Sequence, residues 1–136
     1  EAELAWLNEE FLIVLPPAEA REGIIRFISE LLDHLKRDYA AIGHLKFLIQ
    51  TEGSAETKLS FTTVSTPDTW VAQIPVFSSP KVKLLVNARI QMDAQKLHDL
   101  IADTISDTLS EGNVTMELER SEYFHPGYPR PVHRVE

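Results

Sequence analysis

The sequence predicts an α+β fold: a two-layer sandwich in which two helices cover one face of a mixed, mostly antiparallel sheet, ferredoxin-like in style. Three observations carry this. Apolar residues recur at three- and four-residue spacing in two stretches, around residues 24–39 and 97–109. Elsewhere they alternate with polar residues at a period of two, the signature of strands with one buried face. The segments follow one another as strand, helix, strands, helix, strand, and a strand–helix–strand succession returns its helix to the same side of the sheet each time.

Each element has its own signal. The opening EAELAWLNEE is acidic and reads as helical, and FLIVLPP is an apolar run stopped by Pro16 and Pro17, either a buried strand or a strap between domains. Ile24, Phe27, Ile28, Leu31, Leu35 and Tyr39 then form the stripe of an amphipathic helix, with Glu22, Arg26, Glu30, Asp33 and Lys36 on its other faces. Gly43 stands where a positive φ would close that helix. Leu45, Phe47 and Ile49 alternate with His44, Lys46 and Gln50, and after the turn TEGSAETK, Leu59, Phe61 and Thr63 read as the second arm of a hairpin. TWVAQIPVF is interrupted by Pro75, which makes it an edge strand or an irregular arm.

The clearest strand is KVKLLVNARIQM, with Val82, Leu84, Val86, Ala88 and Ile90 on one face. Asp93 is placed to cap a second helix whose stripe is Leu97, Leu100, Ile101, Ile105 and Leu109, with Gly112 just past it. In the last strand Val114, Met116 and Leu118 alternate with Thr115, Glu117 and Glu119. Residues 1–122 make one domain, and residues 123–136, YFHPGYPRPVHRVE, make a rigid proline-rich C-terminal strap.

Composition narrows the function. A chain of 136 residues supports one core. Thirteen Lys and Arg against 21 Asp and Glu give a net charge of -8, which repels a phosphate backbone, so nucleic acid is not an expected partner. With no cysteine there is neither a disulfide framework nor a thiolate metal site. No apolar run approaches the ~20 residues that span a bilayer, so no membrane association is expected and the cytoplasm is the default compartment. The chain begins at Glu1 rather than Met, as expected either of a fragment of a longer polypeptide or of a chain without disordered leading residues.

Catalytic motifs are absent. None of the five glycines precedes a Lys-Ser/Thr pair, and there is no Gly-x-Ser-x-Gly elbow, no His-Glu-x-x-His helix and no dinucleotide fingerprint. Two other features stand out. If both helices cover one face, the other carries His44, Lys46, Leu48, Ser60, Thr62, Val64, Lys83, Leu85, Asn87 and Arg89, with Thr115, Glu117 and Glu119 beyond. Apolar area at Leu48, Val64 and Leu85 amid basic and polar groups is the composition of a protein contact patch, against the plainer reading of a half-wet sheet. In the tail, Phe124 and Tyr128 are candidate anchors, Arg130 and Arg134 candidate ion-pair partners, and His125 and His133 candidate ligands for a divalent metal such as zinc or cobalt. The acidic stripe Asp99, Asp103, Asp107 and Glu111 reads as a solvated helix face.

Three segments, GHLK at 43–46, VNARI at 86–90 and FHPGYPRPVHR at 124–134, resemble the C-terminal part of CobW-type P-loop GTPases, the group associated with metal-cofactor delivery and cobalamin synthesis. One branch of that group ends in a tail similar to Phe124, Pro126, Pro129, Pro131, His133 and Arg134. The resemblance implies an accessory α+β domain that packs against a GTPase domain of the same parent chain or against a client metalloprotein. The nucleotide-binding domain and its Cys-containing metal motif are missing, and Tyr123 stands where relatives carry Cys, so neither GTP hydrolysis nor metal loading transfers to any residue here. The expected role is a non-catalytic interaction domain using His44, Lys46, Leu48, Leu85, Asn87 and Arg89 on the sheet and Phe124, Tyr128, Arg130 and Arg134 in the tail. The alternatives are a free-standing small-ligand sensor or oligomerisation module, including a homodimer, and an enzyme built on His44, Lys46 and Arg89.

Overall fold

The computed structural model of the chain describes residues 3–109, 112–127 and 133–135, the last three by their backbone alone. Its elements are β1 (Leu4–Val14), α1 (Pro17–Arg37), β2 (Ala41–Thr51), β3 (Thr57–Phe61), β4 (Lys81–Gln91), α2 (Ala94–Leu109), β5 (Thr115–Phe124) and β6 (His133–Val135). The strands form one sheet in the order β3-β2-β4-β1-β5-β6. The predicted α+β sandwich is what the chain builds. Its two strand–helix–strand units interlock, since β4 lies between β1 and β2 while β1 lies between β4 and β5. Every neighbouring pair is therefore antiparallel, and the parallel pairing that would have made the sheet mixed does not occur.

The opening segment corrects one expectation. EAELAWLNEE is strand from Leu4 onward, not helix, and it continues through FLIV as the strand β1 at the heart of the sheet. Ala5, Leu7, Phe11 and Ile13 point under the helices, and so does Glu9. Helix α1 begins with Pro17 in its first turn, where a missing N–H costs nothing, and buries Ile24, Phe27, Ile28, Leu31 and Leu35 as its spacing predicts. It ends without Gly43. Tyr39 takes the left-handed conformation (φ 53°), its N–H donating to the Lys36 carbonyl at 3.1 Å and that of Ala40 to the Leu35 carbonyl at 3.0 Å. Gly43 lies within β2 beside a register shift, where a Cβ would come within 3.0 Å of the Arg89 carbonyl oxygen.

The core is one cluster between the helices and the sheet. Phe27, Phe47, Phe61 and Trp70 extend it as a chain of edge-to-face contacts with centroids 5.8–6.0 Å apart. Trp70 belongs to a short 3-10 helix, Asp68–Gln73, so TWVAQIPVF is the irregular arm of the two readings. That arm is pinned by Arg21, whose guanidinium donates to the carbonyls of Ile74 (2.8 Å) and Val71 (2.9 Å). Val64 packs against the core rather than standing on the open face. At α2 the expected cap is present: Asp93 Oδ2 accepts from the Lys96 N–H at 3.0 Å. The side chains of Leu97, Ile101, Ile105 and Leu109 are buried, and Asp99, Asp103 and Asp107 are exposed.

The domain boundary also moves. Strand β5 runs on through Tyr123 and Phe124, and Tyr123 is among the largest fully buried side chains. A strap beginning at 123 would cut through the sheet. Between Leu118 and Arg120 the register against β1 shifts by one residue, a bulge at Glu119. Before it, Leu118 packs toward the core while Glu117 faces outward; beyond it, Ser121 and Tyr123 turn inward and Arg120, Glu122 and Phe124 outward.

Candidate functional site

With both helices on one side, the other face of the sheet is open, and antiparallel registry sets its side chains in rows across the strands. In one row Ser60, Lys46, Asn87, Asn8 and Glu122 are successive cross-strand partners. In the next the partners are Lys58, Leu48, Leu85, Glu10 and Arg120. Same-face residues on a strand stand about 6.6 Å apart, and an open groove of about 820 Å3 lies over these two rows, crossing β3, β2, β4, β1 and β5. Phe47 and Val86 send their side chains into the core, so they contribute only backbone to its floor.

The rows are tied together. His44 Nε2 donates to Asn87 Oδ1 at 2.5 Å, and Asn87 Nδ2 donates to Asn8 Oδ1, so an imidazole and two amides bridge β2, β4 and β1. At one end of the face Arg89 lays its guanidinium 3.8 Å above the Trp6 ring, and Trp6 meets Phe124 at 5.9 Å. Trp6 Nε1 is buried with no hydrogen-bond partner among the described residues. At the other end Lys83 pairs with Glu119 at 3.7 Å.

The structure thus brings His44, Lys46, Leu48, Leu85, Asn87, Arg89 and Phe124 to one face. It also shows what three of them do at rest. His44 is held by Asn87 and Arg89 by Trp6, so these two are not aimed with Lys46 at a common reacting atom. Tyr128 and Arg130 lie outside the described residues. His133 and Arg134 lie in β6, paired in register with Tyr123 and Glu122, and their side chains too are outside what is described. His125 serves the fold: its Nε2 accepts from the Ala94 N–H and its Nδ1 donates to the Leu4 carbonyl, each at 3.2 Å, which fastens the start of α2 to the start of β1. With both ring nitrogens so occupied, a metal would have to displace a backbone contact to use it. No group of three or more potential metal ligands gathers among the described residues.

Beneath the groove sits a second polar assembly. Glu9 is fully buried, and its Oε2 accepts from Ser121 Oγ and pairs with His98 Nδ1, each at 2.6 Å. The His98 ring stacks on Tyr123 (4.4 Å, 12°), whose hydroxyl donates to Gln95 Oε1 at 3.2 Å. Burial pushes the Tyr123 phenol above its usual range; the Gln95 hydrogen bond opposes that, and the negative charges of Asp99 and Glu9 add to it. Ser121 is wholly inaccessible, so the trio is not a nucleophile site. It locks the segments 8–10 and 120–122, whose outward residues line the groove, onto α2.

Among the described residues no helix is long and apolar enough to cross a membrane. Comparison with protein-family models, curated sequences and solved structures returns no match for this chain. Fold and face together define a class: an α+β sandwich of ferredoxin-like connectivity, extended by edge strands β3 and β6, with one grooved face that no helix among the described residues covers.

Proposed function

We propose that this chain is a non-catalytic interaction domain that docks on a protein partner through the open face of its sheet. The observation that carries the reading is the groove itself: about 820 Å3, floored by Leu48, Leu85 and backbone, and rimmed by charged side chains from four of the five strands it crosses. That arrangement has the apolar centre and polar rim of a recognition surface. The resemblance of GHLK, VNARI and FHPGYPRPVHR to the C-terminal part of CobW-type GTPases supports a specific setting. There the partner is the GTPase domain of the same parent polypeptide or a client metalloprotein, and any zinc or cobalt is cargo.

The test is cross-linking from Lys46 and Lys58 in the native cell extract, comparing the natural sequence with a Leu48→Asp, Leu85→Asp double variant. Cross-links to a GTPase domain or a metalloprotein that vanish in the double variant are expected. Equal cross-linking in both proteins would refute docking through this face. The groove volume gives the small-ligand sensor its one supporting observation, since it lies within the ~300–1,000 Å3 of ligand pockets. Thermal stabilisation by a metabolite panel, abolished by the same double variant, would favour that reading.

A further inference from the structure

The chain is acidic overall, at net charge -8, yet one corner of the open face is basic and holds a cation in a fixed pose. Arg89 lays its guanidinium 3.8 Å above the Trp6 ring, and Trp6 meets Phe124 in turn, so the cation lies on an aromatic shelf. Stacking occupies a face of the guanidinium and leaves its N–H edge open. Arg89 is exposed, and among the described residues nothing accepts a hydrogen bond from that edge. Its cross-strand partners are His44 and Trp6, while those of Lys46, on the neighbouring diagonal, are Ser60 and Asn87. No carboxylate stands directly opposite either cation. The acid in these two rows, Glu122, is on β5, two strands or about 10 Å from β4. The guanidinium is therefore oriented by aromatic contact and not by an anion of its own strand neighbours.

We infer that Arg89, stacked on Trp6, is the anchor of the docking face and takes the carboxylate of an Asp or Glu side chain from the partner protein. This rests on the interaction-domain reading and names the partner's chemistry at one point. A planar carboxylate matches the guanidinium fork through two parallel N–H···O bonds, and a fork already held on an indole loses little freedom in making them. Lys46 does not have to reach the same oxygens: its charge on the diagonal raises the potential over the corner and disfavours a cationic partner. An arginine seated on a tryptophan at the end of an apolar groove is also the composition in which binding energy concentrates at protein interfaces.

The test is zero-length carbodiimide coupling in the native cell extract, using the full chain with Arg89→Lys, which keeps the charge and puts an amine at the anchor position. An amide between position 89 and an Asp or Glu of a GTPase domain or a metalloprotein, located by peptide mass spectrometry, is expected. In the cross-linking from Lys46 and Lys58 described above, Arg89→Gln is expected to lower the yield about tenfold. Its urea midpoint should stay near that of the natural sequence, since the residue is exposed. Failure of position 89 to couple, or coupling only to a carboxylate of the same chain or of a second copy, overturns the proposal. If Arg89→Gln leaves the cross-links undiminished while Leu48→Asp, Leu85→Asp abolishes them, the anchor falls and the docking face stands; if neither variant changes them, both fall.

Discussion

The two faces of the sheet are built from the same strands and handle polar groups in opposite ways. Under the helices almost everything is apolar; the buried polar residues described there include Thr104, Thr108, Ser121 and one carboxylate, Glu9, whose Oε2 is held by Ser121 and His98 at 2.6 Å each. On the open face polar and charged groups alternate with Leu48 and Leu85, and His44, Asn87 and Asn8 are tied to one another across three strands. A carboxylate taken out of water has to be paired and hydrogen-bonded where it sits, whereas one at a wet groove can stay ready for a partner. The covered face therefore governs stability, the open face is the one proposed for recognition, and substitutions should separate along that line.

The largest effect belongs to Tyr123. Replacing it with Ala leaves a large void beneath α2 and removes the ring on which His98 stacks, at a cost of about 3–5 kcal/mol, as for other large-to-small core changes. Urea unfolding checks this. Truncation before residue 123 also removes the end of β5 and should abolish the cooperative transition; a truncated chain that unfolds with the native midpoint would show that the two faces are not divided as described.

Glu9 is next. Glu9→Ala strands the Ser121 hydroxyl and the His98 imidazole at a site designed around a carboxylate, and should cost about 3 kcal/mol. Replacing Glu9, Ser121 and His98 together with apolar residues of similar volume should recover most of that loss, because no polar group is then left behind. A triple variant as weak as Glu9→Ala would point to packing rather than polar pairing.

The raised Tyr123 phenol adds a pH dependence of definite sign. The unfolded chain ionises this tyrosine near pH 10 while the folded chain still holds the proton, so unfolding releases a proton there and stability falls as pH rises. The contribution is complete below pH 10 and declines above it by up to about 1.4 kcal/mol per pH unit until the folded phenol also ionises. Tyr123→Phe should flatten that decline, with a small loss at neutral pH from the missing bond to Gln95. Parallel alkaline profiles for the two proteins would remove Tyr123 as the cause.

Much of this division could be read in advance, and the failures have physical reasons. Alternation placed His44, Lys46, Leu48, Leu85, Asn87 and Arg89 on one face because β2 and β4 keep clean phase over the groove. It missed β1, where Glu9 occupies a core-facing position and erases the apolar signal around Asn8 and Glu10. It lost β5 at Glu119, where a bulge inverts the phase and hides Arg120 and Glu122 as groove residues and Tyr123 as core. Both gaps trace to the buried assembly: a carboxylate inside the core and a bulge beside its serine partner are long-range arrangements, invisible to a local period.

The end of α1 yields the smallest predicted effect. A sequence reading gives the terminating left-handed position to Gly43, yet the chain reverses four residues earlier, at Tyr39 with φ 53°. The Schellman-type bonds of Tyr39 and Ala40 close the helix there, and Gly43 is instead needed where β2 presses on the Arg89 carbonyl. A side chain with a Cβ pays about 1 kcal/mol in that conformation. Nothing is recovered from burial, since Tyr39 is 94% exposed. Tyr39→Gly relieves the strain but loosens the unfolded chain, so the net gain should be about 0.5–1 kcal/mol. Comparing urea midpoints of Tyr39→Gly and Tyr39→Ala isolates the backbone, because both remove the ring and only glycine removes the Cβ. Equal midpoints would show that the left-handed turn carries no strain.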